Sequence, residues 1–158
     1  KTRYFIENSH CSVGVFVNRG FVGITTTIVL LHNENDDFLL RYARRLMRNN
    51  ASASIFVVDM NKVLQTSDKM KTALKEIETL FPTRVKVLKS TKNNASLISK
   101  FSFLLISYQT WNVLSVSENR DLASIPSTLI INKKAGRFHS SARQKQVQSE
   151  IPYTETEN

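Results

Sequence analysis

Glycine is scarce in this 158-residue sequence, and none of its four glycines lies between residues 24 and 135. The four are Gly14, Gly20, Gly23 and Gly136. A phosphate bound at a strand-to-helix turn needs a close approach by the backbone, which glycine permits. Neither a dinucleotide-binding fingerprint nor a P-loop can be placed on this stretch. The sequence therefore argues against tight nucleotide binding in the usual mode.

Cysteine is also nearly absent, since Cys11 is the single one. A disulfide framework and a cysteine-rich zinc site are excluded, and the composition fits a reducing cytosol. Cys11 is predicted to be an inert thiol within an apolar strand. His10, His32 and His139 are far apart in sequence, so we predict neither a metal nor a cofactor. No Gly-x-Ser-x-Gly nucleophile motif occurs, and we do not expect an enzyme.

Long apolar runs are missing as well. No stretch approaches the roughly 18 apolar residues that a transmembrane helix needs. The longest runs, Ile28–Leu31 and Ile55–Val58, have the length of strands, and no apolar region of a signal peptide follows the first residues. Because the chain begins at Lys1 without an initiator Met, we expect it to be part of a longer protein.

The charge is strongly positive, with a formal net charge of +9 at pH 7. Such a surface favours anionic partners, namely acidic lipid, nucleic acid or an acidic protein. We do not expect nucleic acid, because neither a recognition helix nor a sheet with exposed aromatic residues can be identified.

What the sequence does contain is an alternation of apolar strands with helical segments. Residues 1–22 are predicted to be an arm that carries one strand, and residues 134–158 a polar, disordered tail. Between them, residues 23–133 form the predicted domain. Its strands are Ile24–Leu31, Ser54–Asp59, Arg84–Lys89, Phe101–Tyr108 and Ser127–Asn132. The predicted helices begin after Asn35, at about Ser67 and at about Asn94.

This order indicates an α/β fold, a three-layer, doubly wound and mainly parallel five-stranded sheet with an extra N-terminal strand. The strand with Arg84, Lys86 and Lys89 has the charges of an exposed edge. The arm strand is therefore predicted to pair at the opposite edge, beside the last strand, or else with a second copy of the chain.

Polar residues cluster at the presumed ligand edge, where the first two strands of the domain end. His32, Asn33, Asp36, Asp37 and Asp59 are candidate ligands for a cation or a small polar effector. The alternative, which we favour, is a helix N-terminus capped by Asn35, with Asp36 and Asp37 complementing the helix dipole.

The first helix of the domain carries Arg41, Arg44, Arg45 and Arg48. Their spacing places all four on one face, opposite the apolar stripe. These arginines are candidates for docking an anionic partner such as acidic lipid. The simpler interpretation is a solvated charged face.

Residues 10–20, His-Cys-Ser-Val-Gly-Val-Phe-Val-Asn-Arg-Gly, resemble the Ala-Pro-Cys-Ser-Val-Gly-Ile-Leu-Val-Asp-Arg-Gly segment of plant cation/H+ exchangers and fungal K+/H+ antiporters. Residues 29–37 resemble the strand and Gly-Gly-Pro-Asp-Asp turn of the same family, with Asn33-Glu-Asn35 replacing Gly-Gly-Pro. Trp111 and Asp121–Ser124 resemble later elements, although the family's Gly-Arg after the fourth strand is absent here. The resemblance spans roughly residues 8–132.

This resemblance implies a cytosolic regulatory or assembly domain, similar to universal stress proteins, of a membrane K+(Na+)/H+ antiporter. Its implied partner is the membrane transport domain of the same polypeptide, and a homodimer and an acidic lipid surface are further expected partners. The implied location is the cytosolic face of an intracellular membrane. The alternative is a free-standing universal-stress-like protein that binds nucleotide or another small ligand.

Overall fold

A computed structural model describes residues 1–90, 94–117 and 124–134 of the chain. The strands are β1 (Val13–Val17), β2 (Thr26–Leu31), β3 (Ser54–Asp59), β4 (Val85–Leu88), β5 (Phe103–Ser107) and β6 (Ser127–Asn132). The α-helices are α1 (Thr2–Asn8), α2 (Asp37–Asn49), α3 (Val63–Thr66), α4 (Asp68–Leu80), α5 (Asn94–Ile98) and α6 (Tyr108–Ser117). A 3-10 turn, Glu34–Asp36, precedes α2.

The six strands form one sheet in the order β1-β6-β5-β2-β3-β4. The five strands from β2 to β6 run parallel, and β1 lies antiparallel to β6. Successive crossovers run from β2 outward to β4, and the chain then returns to β5 on the other side of β2. The predicted mainly parallel α/β sheet is therefore confirmed, with a Rossmann-like strand order.

Helices cover both faces of the sheet because the central strands are apolar on both sides. Every residue of β5 is buried, and so is all of β2 after Thr26. One core lies under α2 and α4, with Leu39, Met47 and Met70 among its fully buried side chains. The other core lies under α5 and α6, to which Ile98 and Trp111 belong.

The N-terminal strand pairs at the predicted edge, the one opposite the charged edge strand. β1 runs beside β6, from Val13 opposite Asn132 to Val17 opposite Thr128. Alternate residues Val13, Val15 and Val17 are the less exposed ones, as their spacing predicts. The arm is thus continuous with the sheet, and β4 forms the opposite edge.

Helix α1 was not predicted. Ile6, only 5% exposed, anchors it, and the Asn132 side-chain amide donates to the Ile6 carbonyl over 2.9 Å. Cys11 was predicted to lie in the strand, but β1 begins at Val13 and the thiol is exposed. Because Ser9 to Ser12 link α1 to β1, the thiol has no core to enter.

Arg84 is a second correction. Its charge was predicted to mark an exposed edge strand, but the guanidinium turns inward just before the start of β4. Its Nε donates to the Ala53 carbonyl over 2.7 Å, and one terminal nitrogen donates to the carbonyls of Met47 and Asn50 over 3.2 and 2.6 Å. Arg84 therefore joins the end of α2 to the sheet. The predicted disordered tail, residues 134–158, lies outside the described residues apart from Lys134, and so does the segment 121–123.

Candidate functional site

The order of the strands reverses between β2 and β5, and open α/β sheets bind ligands at this point beyond the carboxyl ends of their strands. Here the turn after β2 meets the start of α6. Asn33 and Asp36 come from the turn, and Gln109 and Thr110 come from α6. Asn33 Nδ2 lies 3.5 Å from Gln109 Oε1, which brings the two elements together across the crevice.

The carboxylate of Asp36 fills this crevice. The residue is 1% exposed, and its Oδ2 accepts hydrogen bonds from the backbone N–H groups of His32 and Asn33 over 2.9 and 3.1 Å. The Thr110 hydroxyl donates to the same oxygen over 3.2 Å. Backbone N–H groups of such a turn are the donors that hold phosphate in nucleotide-binding folds. In this chain an internal anion already uses them.

Two buried hydroxyls continue the network. Ser107, the last residue of β5, donates through Oγ to Thr110 Oγ1 over 2.8 Å, and the Thr110 backbone N–H donates to Ser107 Oγ over 3.2 Å. The cavity that remains beside Asp36, Ser107 and Gln109 measures about 50 Å³. Sites for ligands of nucleotide size occupy about 300–1,000 Å³. This cavity is too small for such a ligand.

The predicted cap by Asn35 is wrong: Asp36 precedes α2 and its side chain forms no capping hydrogen bond to that helix, whereas the capping bonds found here belong to the 3-10 turn. The Asn33 side chain accepts from the Asn35 backbone N–H over 3.0 Å, and Asp36 bonds back to the Asn33 backbone, forming a capping box. Asn35, the predicted cap, is itself inside the 3-10 turn. A three-residue turn before α2 moves the capping position two residues upstream.

The remaining candidate ligands do not join Asp36 in one cluster. Asp59 accepts from the backbone N–H groups of Val63 and Leu64 over 2.8 and 2.9 Å, so it caps α3. His32 Nε2 lies 3.1 Å from the Asn61 side-chain amide. Asp37 points away from the crevice, toward α4. Within the described residues, no three His, Cys, Asp or Glu side chains are grouped to hold a metal ion.

The four arginines of α2 line a cleft between α2 and α4, with a volume of about 540 Å³. Opposite them, α4 contributes Lys69, Thr72 and Glu76. The side chain of Asp37 is 2% exposed at one end of the cleft, 3.0 Å from Arg41 and 2.8 Å from Lys69. The sequence predicted the shared face of the arginines, but not the concave surface that α4 builds beside it.

Charges within the cleft are only partly balanced. Arg44 lies 3.5 Å from Glu76, and both side chains retain more than a third of their exposure. The guanidinium of Arg45 stacks 5.7 Å from the centre of the Tyr42 ring. In the described part of the chain, neither Arg45 nor Arg48 forms an ion pair with an acid. The predicted arginine face therefore retains unpaired positive charge.

A smaller polar contact fastens α1 to α6. Arg3 and the Tyr108 hydroxyl donate to Glu7 Oε1 over 3.0 and 2.9 Å. The hydrogen bond from Arg3, then that from Tyr108, hold the pKa of Glu7 below its usual value. The same carboxylate raises the pKa of Arg3.

No protein-family model matches the chain, and no curated protein matches its sequence significantly. Among the helices that the structure describes, none has both the length and the apolar character needed to cross a bilayer.

Proposed function

We propose that this chain is a regulatory or assembly domain of a membrane K+(Na+)/H+ antiporter, built on a universal-stress-like α/β unit. It acts by binding and not by catalysis. Its partners are the transport domain of the same polypeptide, a second copy of the chain, and an anionic partner at the arginine face. Its place is the cytosolic face of an intracellular membrane.

The observation that carries this proposal is the position of Asp36. In Rossmann-type folds, the backbone N–H groups after the first strand are donors that bind the phosphates of a nucleotide. Those of His32 and Asn33 are bound to the Asp36 carboxylate instead. With these donors occupied, the turn after β2 offers a phosphate no free N–H group at His32 or Asn33, which supports a module that acts through its surfaces. The resemblance of residues 10–20 to the antiporter family then supplies the specific assignment.

β1 supports the same proposal. The segment with the most specific family resemblance is the strand at one edge of the sheet, and its outer edge is not paired within the described residues. An unpaired strand edge is a ready site for pairing with another chain or another unit. β1 is therefore suited to connect this domain to a neighbouring unit of a larger protein.

The first test examines the coding sequence upstream of this chain in its reading frame. We expect it to encode about ten apolar spans of roughly 20 residues upstream of Lys1. The second test compares the full-length parent with a form truncated before Lys1 in proteoliposomes, by following K+-driven proton movement with a pH-sensitive dye. The truncated form should retain exchange but change in pH dependence or oligomeric state.

Two results would overturn the proposal. One is an upstream frame without membrane spans. The other is a truncated antiporter with the same exchange rate, pH profile and oligomeric state as the full-length protein. Calorimetry separates the alternative function, since tight ATP binding that depends on the β2–α2 turn would indicate a nucleotide-binding protein.

A further inference from the structure

The cleft between α2 and α4 contains more positive than negative charge. Five cationic and two acidic side chains line it, which leaves three positive charges in excess. The cations are Arg41, Arg44, Arg45, Arg48 and Lys69, and the acids are Asp37 and Glu76. Like charges at this spacing repel one another, and an anion placed among them would relieve that repulsion.

The cationic side chains of the cleft are exposed, and not all of their hydrogen-bond donors are used. Arg41 and Lys69 share the single buried carboxylate of Asp37, yet their side chains are 65% and 58% exposed. A guanidinium has five N–H donors and an ammonium has three, so one shared carboxylate does not satisfy them. Arg45 and Arg48 lie about one and two helical turns beyond Arg41. They add two more guanidinium groups with no acidic partner in the described part of the chain.

Shape and charge together indicate the ligand. The volume of about 540 Å³ lies within the range of small-molecule sites. A planar guanidinium group donates two parallel hydrogen bonds to the oxygens of a phosphate. A small molecule that carries several phosphates can therefore bind several arginines at once. We propose that the cleft binds a compact, free polyphosphorylated anion of the inositol-polyphosphate class.

Acidic residues on α4 favour this ligand over a flat anionic membrane. Asp68 and Glu78 are exposed on the helix that forms one wall of the cleft, and neither of them lines the cleft itself. An anionic bilayer laid across α2 and α4 would bring its headgroups against these carboxylates. A compact anion enters between the helices and contacts the arginines without covering the outer surface of α4.

Isothermal titration of the full chain with inositol hexakisphosphate, at about 0.15 M salt, tests the proposal. The double substitution Arg45→Gln/Arg48→Gln removes the two arginines without acidic partners, and we expect it to weaken binding by about tenfold or more. Glu76→Gln removes an opposing carboxylate and should tighten binding by about threefold. Melting temperatures of both variants should stay close to that of the unmodified chain, because all three side chains lie at the surface.

A matched control removes the same charge from the opposite face. Val85 of β4 packs into the core under α4, so the next residue, Lys86, points to the other side of the sheet. Lys100 follows α5, which packs on that other side. The substitution Lys86→Gln/Lys100→Gln should change the affinity by less than about twofold, since screening acts over about 8 Å at this salt concentration.

Three outcomes would overturn the proposal. The first is no binding of inositol hexakisphosphate. The second is an equal loss in the control variant, which would indicate attraction by the net charge alone. The third is retention by vesicles that carry phosphorylated inositol lipids without binding of the free anion, which would make the site a membrane contact. All titrations use this chain alone, so their outcome does not decide the antiporter proposal, which has its own tests.

Discussion

Replacing Asp36 by alanine should destabilise the fold more than any other substitution at the ligand edge. Its Oδ2 accepts three hydrogen bonds, from two backbone N–H groups and from the buried Thr110 hydroxyl. A hydrogen bond to a charged group contributes about 1.5–3 kcal/mol, and a buried donor left without a partner costs about 1–3 kcal/mol. Because His32 and Asn33 are only half-buried, water can reach part of the space. We therefore expect a loss of about 3 kcal/mol in the free energy of unfolding.

An isosteric substitution separates the hydrogen bonds from the charge. In Asp36→Asn, the amide oxygen can take the place of Oδ2 and accept from the same donors, so only the charge assistance is lost. The expected cost is about 1 kcal/mol. Asp68→Ala is the control, because its side chain is 96% exposed and, among the residues that the structure describes, forms an ion pair only with the exposed Lys71. A surface pair of this kind contributes about 1 kcal/mol or less.

Urea unfolding measures these differences directly. Trp111 is the single tryptophan of the chain and packs against the core under α6, so its fluorescence reports unfolding. The three variants should differ in midpoint and share one slope with the unmodified chain. An alanine variant within about 0.5 kcal/mol of the unmodified chain, or one no less stable than the asparagine variant, would refute the structural role of Asp36.

Three further predictions concern other parts of the fold. Deleting residues 1–18 removes α1 and β1, and it should lower the urea midpoint or produce oligomers in light scattering; an unchanged midpoint and oligomeric state would contradict the pairing with β6. Because Arg3 and Tyr108 lower the pKa of Glu7, its contribution is present above the ordinary glutamate pKa and is lost as the pH falls through the lowered value. The stability difference between the unmodified chain and Glu7→Gln should therefore shrink in acid, whereas a constant difference would argue against this contact. Arg84→Met leaves three main-chain carbonyls without their donor, and it should lower the free energy of unfolding in urea by about 2 kcal/mol. A loss no larger than that of Lys86→Met would show that Arg84 acts as an ordinary exposed edge residue.

The predictions that succeeded rest on local patterns. Ser54–Asp59 and Ser127–Asn132 are strands with the predicted bounds, because β-branched and apolar residues favour extended backbone wherever they are buried. Helix α4 follows from the cap at Ser67 and from apolar residues at helical spacing, of which Met70 and Ile77 are buried. Such signals lie within a few residues of one another, so the sequence reveals them directly.

The candidate site depended on contacts between distant residues. The sequence identified Asp36 as a polar residue at the ligand edge, but its partner Thr110 is 74 positions away. Glu76 reaches Arg44 across 32 positions and changes a charged helix face into one wall of a cleft. Neither distance follows from periodicity, because it depends on how α2, α4 and α6 pack on the sheet.

The sequence by itself determined the α/β class, one charged edge of the sheet and the lack of a glycine-rich phosphate loop, and it left the pairing of the arm strand open. Only the tertiary structure decided that Asp36 turns inward, that Arg84 binds carbonyls and that Cys11 lies outside its strand. Composition and spacing define which residues prefer burial or extended backbone. The direction of a polar side chain depends instead on which unsatisfied donors and acceptors the folded chain brings within about 3 Å of it.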